Sequence, residues 1–188
     1  MVVNETLSVI KQRRSTRQFD ARQMPDDALN AILEAALFAP SAMNQQKWHF
    51  SVVQNKPMLK KMVEITKINK LNSGIPFLIQ KAGSEDYHTY YHAPTVVIVS
   101  GDQQAKFIMF DCAAAAQNIA LAAASLGIGS CIMTSAGFLF ASEEGRAMKK
   151  GMGIPDGYEY VCFIALGFPK GGLPPGPPRN KEVISMIR

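Results

Sequence analysis

The sequence has few cysteines and no long run of basic residues. Its 188 residues include three cysteines, Cys112, Cys131 and Cys162, and no two of them are close along the chain. This odd, scattered set does not suggest a metal knuckle and is typical of a reducing compartment. No run of Lys or Arg exceeds two residues, and basic residues do not alternate with aromatic ones, so we expect no nucleic-acid partner.

Long unbroken apolar segments are also missing. The start of the chain has no apolar core of the kind found in signal peptides. The most apolar stretch, 113–129, is dominated by alanine and interrupted by Gln117 and Asn118. We therefore expect a cytoplasmic protein without a membrane partner. A length of 188 residues favours one domain over the whole of 1–188, and an apolar share of 47% argues against disorder.

Apolar periodicity and turn residues predict an α+β fold. Helices are predicted over residues 6–12, 25–40, 57–66, 106–126 and 142–148, and strands over 48–53, 95–100 and 160–167. The run 95–100 shows no polar alternation, so it is expected to be a central strand covered on both faces. Residues 69–92 are predicted to form an irregular lid or pocket wall. The Gly/Pro-rich stretch 171–178 must run extended, and it begins an arm, 171–188, that can wrap around a second subunit.

Two polar groups near the start of the chain carry the chemistry. The first is basic and lies within five residues, at Arg13, Arg14, Ser15 and Arg17. The second follows about 25 residues later, at Ser41, Asn44 and Gln46. Guanidinium forks and a hydroxyl can hold a phosphate in bidentate fashion, and an amide pair can match a heterocycle edge. Together they predict a cradle for a phosphorylated, nucleotide-like cofactor, with a solvated basic surface as the alternative.

Three segments of the chain resemble the FMN-dependent nitroreductase family in order and spacing. They are 13–19 (Arg-Arg-Ser-Thr-Arg-Gln-Phe), 39–48 (Ala-Pro-Ser-Ala-Met-Asn-Gln-Gln-Lys-Trp) and 116–130, from Ala-Gln-Asn to Leu-Gly-Ile-Gly-Ser. The family usually has a proline where this chain has Lys47. The resemblance implies a central, mostly antiparallel sheet flanked by helices. It also implies an intertwined homodimer that exchanges its C-terminal arms and binds FMN where the subunits meet.

The resemblance also implies a role for each candidate residue. Arg13, Arg14 and Ser15 would contact the phosphate and ribityl chain of FMN, and Arg17 the pyrimidine side of its ring. The opposite subunit would contribute Pro40, Ser41 and Asn44, assisted by Gln46. Arg179 and Lys181 would close over the phosphate. Asn72, with Asn69 as its competitor, would meet the flavin edge, and the stretch 133–137, which includes Thr134, would offer backbone donors.

The implied activity is a flavin oxidoreductase that passes hydride from NAD(P)H to a nitroaromatic or quinone. The sequence decides neither between NADH and NADPH nor on the natural acceptor. A protein that carries its flavin, or consumes it, is the alternative function. A metal site at His88 and His92, spaced four apart as on one helix face, is a weaker alternative, so no metal is expected. A Ser41 nucleophile is discounted because Ser41 lies between Pro40 and Ala42 after a helix.

Overall fold

A computed structural model describes residues 2–173 and 175–188 of the chain. Its helices are α1 (Glu5–Gln12), α2 (Asp26–Leu37), α3 (Lys56–Leu71), α4 (Pro76–Ala82), α5 (Ile108–Ser125) and α6 (Glu143–Gly151). Its strands are β1 (Trp48–Val53), β2 (Thr95–Asp102), β3 (Gly129–Met133) and β4 (Tyr158–Gly167). Short 3₁₀ helices cover Ala42–Asn44 and Ser135–Ala141. The predicted α+β fold is confirmed.

The four strands form one sheet in the order β1-β2-β4-β3, and every neighbouring pair is antiparallel. Strand β2 lies inside the sheet, as its unbroken apolar run predicts. Its residues alternate between two hydrophobic clusters: Val96 and Ile98 face the cluster that includes α3, and Val97 and Val99 face the one that includes α2 and α5. The sheet is therefore covered on both faces.

Helix α5 is built from small side chains and lies in the core. Its length and composition would allow it to cross a membrane. However, Ala115, Ile119 and Ala123 are fully buried in the cluster shared with α2 and the sheet. Alanine at positions 115 and 123 lets the helix approach its neighbours closely. The apolar character of α5 is thus explained by core packing.

The prediction of an irregular segment over 69–92 is wrong for its first half. Helix α3 runs on to Leu71, and α4 follows after a short break. In that break Gly74 adopts a left-handed φ of 71°, and Pro76 occupies the first turn of α4. Here asparagine, serine and glycine form a short break between two helices. Composition alone does not distinguish such a break from a long loop.

Strand β3 was not predicted, and it positions the candidate site. Gly127, with a φ of 70°, ends the preceding segment as predicted, but Gly129 begins a strand. A Cβ at Gly129 would lie 2.6 Å from Thr16 Oγ1, so the missing side chain allows residues near the start of the chain to approach β3. Pro174, within the predicted arm, lies outside the described residues. The described residues of 171–178 contain neither helix nor strand, as predicted.

Candidate functional site

The basic segment, residues 13–17, is held beside β3. The backbone N–H of Thr16 donates to the Ser130 carbonyl at 2.8 Å, and Ser15 and Ser130 form a parallel bridge. On the other side, the N–H of Asp20 donates to the Phe168 carbonyl at 2.9 Å, just beyond β4. The segment therefore extends the sheet locally, and its side chains have a fixed backbone to project from.

The guanidinium groups of the basic segment carry uncompensated charge. Arg13 and Arg14 are half-buried and Arg17 is exposed, and none of the three has a carboxylate within 4.0 Å among the described residues. Arg14 Nη1 donates to the carbonyls of Lys11 and Arg13 at 2.7 and 2.8 Å. Its Nε is buried without a partner in the described part of the chain. A half-buried set of cations with spare donors is a site for an anion.

The C-terminal arm passes over the same segment. A Cβ at Gly176 would overlap the Arg14 guanidinium, so the two groups are in contact. Arg179 and Lys181 lie further along the arm and are exposed, and Arg179 Nη1 donates to the Pro177 carbonyl at 2.9 Å. Neither residue lines the cavities beside the basic segment. The structure of one chain thus brings the arm to Arg14 but leaves Arg179 and Lys181 in solvent.

Two small cavities flank the basic segment. One of about 220 Å³ lies against Ser15, Thr16, Arg17 and Gln18. The other, of about 100 Å³, lies against Arg13, Arg14 and the 127–130 turn. Cavities that enclose a whole cofactor measure roughly 300–1,000 Å³. Each cavity is therefore large enough for a phosphate-sized group but too small to enclose a flavin.

The loop 40–46 holds the second predicted group together. Ser41 Oγ accepts from the Gln46 N–H at 3.0 Å, and Gln46 Nε2 donates to Asn44 Oδ1 at 2.8 Å. Met43, Asn44 and Gln46 have left-handed φ values of 52°, 54° and 49°. Such values are costly for residues with side chains, and they persist where the surroundings fix them.

Helix α5 supplies one of the contacts that fix this loop. The buried Asp111 accepts from the Ala42 N–H at 3.1 Å. Pro40, Asn44 and Gln46 are exposed, and no residue of 40–46 lines either cavity beside the basic segment. The two predicted groups therefore do not share a cavity within one chain.

The remaining predicted residues surround the end of β3. Thr134 is exposed, and its carbonyl accepts from the Gly137 N–H at 2.9 Å. Asn69 donates its side-chain amide to the Phe138 carbonyl at 2.8 Å and to Ser142 Oγ at 3.0 Å, so this amide serves the fold. Asn72 caps the C-terminus of α3 with an exposed side chain. Of the two asparagines, Asn72 is the one left available to a ligand.

Lys70 is a charged residue at this site that sequence reasoning missed. Only 3% of its surface is exposed, and its Nζ lies 3.5 Å from Ser135 Oγ and 5.5 Å from the centre of the Tyr87 ring. Burial, and to a lesser degree Lys81, lowers the pKa of Lys70 to about 8. The available signal was its position on the inner stripe of α3, four residues after Thr66 and eight after Met62.

Cys131 reports on the charge around β3. Burial raises the pKa of its thiol, while Arg17, Lys81 and Arg13, in that order, act to lower it. These three cations from α4 and the basic segment are therefore close enough to the centre of β3 to act on one atom. None of these three cations has a carboxylate within 4.0 Å among the described residues, so the surroundings of β3 carry net positive charge.

The predicted histidine pair lies in turns, so its placement on one helix face was wrong. His88 Nδ1 accepts from the backbone N–H groups of Tyr90 and His92 at 3.2 and 3.1 Å, and the two imidazole rings are 4.0 Å apart. Burial, followed by the charge of His92, lowers the pKa of His88 to about 4. No group of three or more metal-ligating side chains occurs in residues 2–173 and 175–188. His88 therefore stays neutral and serves the fold as a hydrogen-bond acceptor in the turn.

Comparison with known proteins matches residues 10–168 to the nitroreductase family. A relative from Archaeoglobus fulgidus, provisionally named NADH dehydrogenase/NAD(P)H nitroreductase, is 34% identical over 173 residues, covering 89% of this chain and 87% of the relative. The crystal structure of a nitroreductase with bound FMN from Bacteroides fragilis is 39% identical, with a TM-score of 0.93 over 99% of this chain and 100% of that chain. A nitroreductase with bound FMN from Desulfitobacterium hafniense is 34% identical, with a TM-score of 0.89 over the full length of both chains.

Proposed function

This chain belongs to the nitroreductase family, and we propose that it is an FMN-dependent NAD(P)H oxidoreductase. Its acceptors are nitroaromatics, quinones or similar compounds, and its single FMN-binding domain spans 1–188. The observation that carries the proposal is the uncompensated basic segment, fixed between β3 and the chain after β4 and covered by the arm. A cationic cradle of this kind fits the dianionic phosphate of FMN.

Different residues of the basic segment contact different parts of the cofactor in this proposal. Arg13, Arg14 and Ser15 hold the phosphate and the ribityl chain, because they line the two cavities beside the basic segment and neither arginine has a carboxylate within 4.0 Å among the described residues. Arg17 is exposed and reaches the pyrimidine side of the ring. The three cations that act on Cys131, Arg17, Lys81 and Arg13, favour a cofactor that gains negative charge on reduction.

The site is completed by a second copy of the chain. Neither cavity beside the basic segment encloses a flavin, and the loop 40–46 does not line them. Large apolar side chains are exposed at and around this loop: Phe38 by 79%, Met43 by 82% and Phe110 by 76%. Exposed apolar patches of this kind mark protein interfaces. In the proposed homodimer, Pro40, Ser41, Asn44 and Gln46 of one protomer therefore meet the basic segment of the other.

The arm and the end of β3 complete the contacts. Arg179 and Lys181 close over the phosphate when the arms exchange, and Thr134 and Asn72 lie at the ring edge. Bound FMN would supply two-electron transfer from NAD(P)H to the acceptor, which no side chain of the chain can perform. The protein's part is to orient the ring, admit the acceptor and keep the positive field around it. The enzyme is proposed to act in the cytoplasm.

The purified protein tests this proposal directly. FMN is added, the unbound cofactor is removed, and absorbance is followed as NADH or NADPH is added without oxygen and then a quinone or nitroaromatic. Bleaching by either nucleotide followed by recovery with the acceptor supports the oxidoreductase. A yellow protein that neither nucleotide bleaches supports the alternative of a flavin carrier or flavin-consuming protein. A colourless protein that takes up no FMN contradicts both.

A further inference from the structure

Lys70 is the one buried basic residue in the described part of the chain. A buried ammonium is normally paired with a carboxylate, because losing its hydration shell is costly. No carboxylate of the described residues lies within 4.0 Å of Lys70, and the charged group that acts on its pKa is a second cation, Lys81. The charge is thus kept in the fold without a counter-ion, which the function described above does not explain.

The contact partner of Lys70 reaches the surface. Ser135 is exposed and is the first residue of the 3₁₀ helix after β3, and its Oγ accepts from Lys70 Nζ at 3.5 Å. A serine hydroxyl has one proton and two lone pairs. Since Lys70 occupies a lone pair, the proton of Ser135 is left to donate outward. The buried charge polarises this hydroxyl and makes it a better donor to a negatively charged oxygen.

Neither Lys70 nor Ser135 lines the two cavities of the proposed phosphate site, but a cation that acts on Lys70 also acts on β3. Lys81 acts on Lys70, and together with Arg13 and Arg17 it also acts on Cys131 in β3. Ser135 follows that strand by two residues. The phosphate has its own cations in the basic segment, so the charge at Lys70 is available to a different anion near the ring.

We propose that Ser135, supported by Lys70, binds the acid group of the electron acceptor, so that this enzyme prefers carboxylated acceptors to neutral ones of the same shape. The inference rests on the proposed function and names its substrate class. Ser135 touches the acceptor's acid group, and Lys70 is a positioning residue that acts through the serine.

Benzoate and benzamide are suitable probes, because they have nearly the same shape and only benzoate is charged. Each is titrated into the FMN-loaded protein, and the flavin absorbance change gives a dissociation constant. We expect benzoate to bind more tightly than benzamide to the unsubstituted protein. Lys70→Met should weaken benzoate about tenfold or more and leave benzamide within about twofold, since the charge that supports the hydrogen bond from Ser135 is lost. Ser135→Ala should have the same selective effect.

The control is Lys60→Met, which changes the net charge equally on the same helix at a side chain that is 80% exposed. It should leave both dissociation constants unchanged. Thermal unfolding checks the fold of Lys70→Met, for which methionine fills the volume of the lysine stem without a buried charge. Equal effects of Lys70→Met on benzoate and benzamide, or no effect on either, overturn the inference.

The pH dependence gives an independent readout. Benzoate affinity should fall as the pH rises through about 8, where Lys70 loses its proton, and should stay flat in Lys70→Met. The other titratable groups facing Lys70 are Lys81 on α4 and Tyr87 in the following turns, and burial raises the pKa of Tyr87. Tyr87 therefore stays neutral through pH 8. An identical pH profile in both proteins contradicts the role of Lys70.

Turnover separates this inference from the proposed function. With NAD(P)H as donor, the ratio of kcat/KM for 4-nitrobenzoate to that for 4-nitrobenzamide should fall about tenfold in Lys70→Met. If neither NADH nor NADPH reduces the bound flavin, the proposed function fails, and calorimetric titration of benzoate and benzamide into the same protein still tests the inference. If both are reduced and the ratio is the same in both proteins, only the inference fails.

Discussion

The guanidinium group of Arg14 lies against the backbone of Gly176, so the basic segment and the C-terminal arm meet within a single chain. Two backbone carbonyls also hold Arg14, because its Nη1 donates to the carbonyls of Lys11 and Arg13. The side chain therefore has little freedom to move away from the arm. A residue with no side chain at 176 is what allows the arm to pass over the cationic group.

Gly176→Ala is predicted to weaken FMN binding. The added methyl group would displace the Arg14 guanidinium from its position, and the loss of one charge-assisted contact to the phosphate should raise the dissociation constant roughly tenfold. Quenching of FMN fluorescence measures the constant. Gly172→Ala is the matched control, since a Cβ there meets no atom within 4 Å. Equal FMN affinities of the two variants would show that the position of the Arg14 guanidinium beside residue 176 does not matter for FMN binding.

Arg13→Ala is predicted to weaken the binding of FMN far more than that of riboflavin. Riboflavin lacks the phosphate, so a residue that serves the phosphate has little to lose with it. We expect FMN affinity to fall about tenfold or more and riboflavin affinity to change less than about twofold. Lys11→Ala, which removes one positive charge from the exposed end of α1, controls for net charge. A parallel loss for both flavins would place Arg13 away from the phosphate.

The sequence predicted those parts of the fold whose signal is local. The unbroken apolar run in β2 and the amphipathic stripe of α2 are local patterns, and both elements form as predicted. Strand β3 depends instead on pairing with β4 and on Thr16, and its five residues begin with a glycine that also fits a helix stop. Such a strand is specified by its partners more than by its own composition.

The candidate site shows the same division. The basic segment is contiguous in sequence and could be identified there. Lys70 was not identified because the asparagines at 69 and 72 favoured a loop beyond residue 66. In the structure Asn69 instead anchors helix α3 to the 3₁₀ segment through the Phe138 carbonyl. A lysine at position 70 can be identified as buried only when α3 is known to continue past residue 66 with the face that carries Lys70 turned to the core. The proposed role of loop 40–46 in the site requires a second chain, and no pattern within one chain can report such a contact.

His88→Asn is predicted to reduce the loss of stability in acid. The folded chain holds the pKa of His88 at about 4, below its ordinary value of 6.5, so the unfolded chain takes up the proton first as the pH falls. Stability is therefore present above about pH 6.5 and lost progressively towards pH 4. After allowance for partial solvent exposure, this loss is about 1–2 kcal/mol.

Asparagine at position 88 would keep an acceptor for the backbone N–H groups of Tyr90 and His92 but would not titrate. Urea unfolding between pH 4 and pH 8 gives the free energy of unfolding of each protein. The difference between His88→Asn and the unsubstituted chain should shift in favour of the variant below pH 6.5. His49→Asn, on β1, is the comparison variant. A pH-independent difference for position 88 would refute the buried, neutral histidine.

The most direct measurement is the FMN content of a mixed dimer. One chain carries Arg13→Ala with Arg14→Ala, the other carries Ser41→Ala with Asn44→Ala, and the two are co-expressed with different affinity tags and purified together. If FMN lies between the basic segment of one chain and the loop 40–46 of its partner, one site collects all four substitutions and the other collects none. We predict one FMN per mixed dimer, bound as tightly as in the unsubstituted protein. A mixed dimer with no site of unsubstituted affinity would contradict the account, because each site would then be built within a single chain.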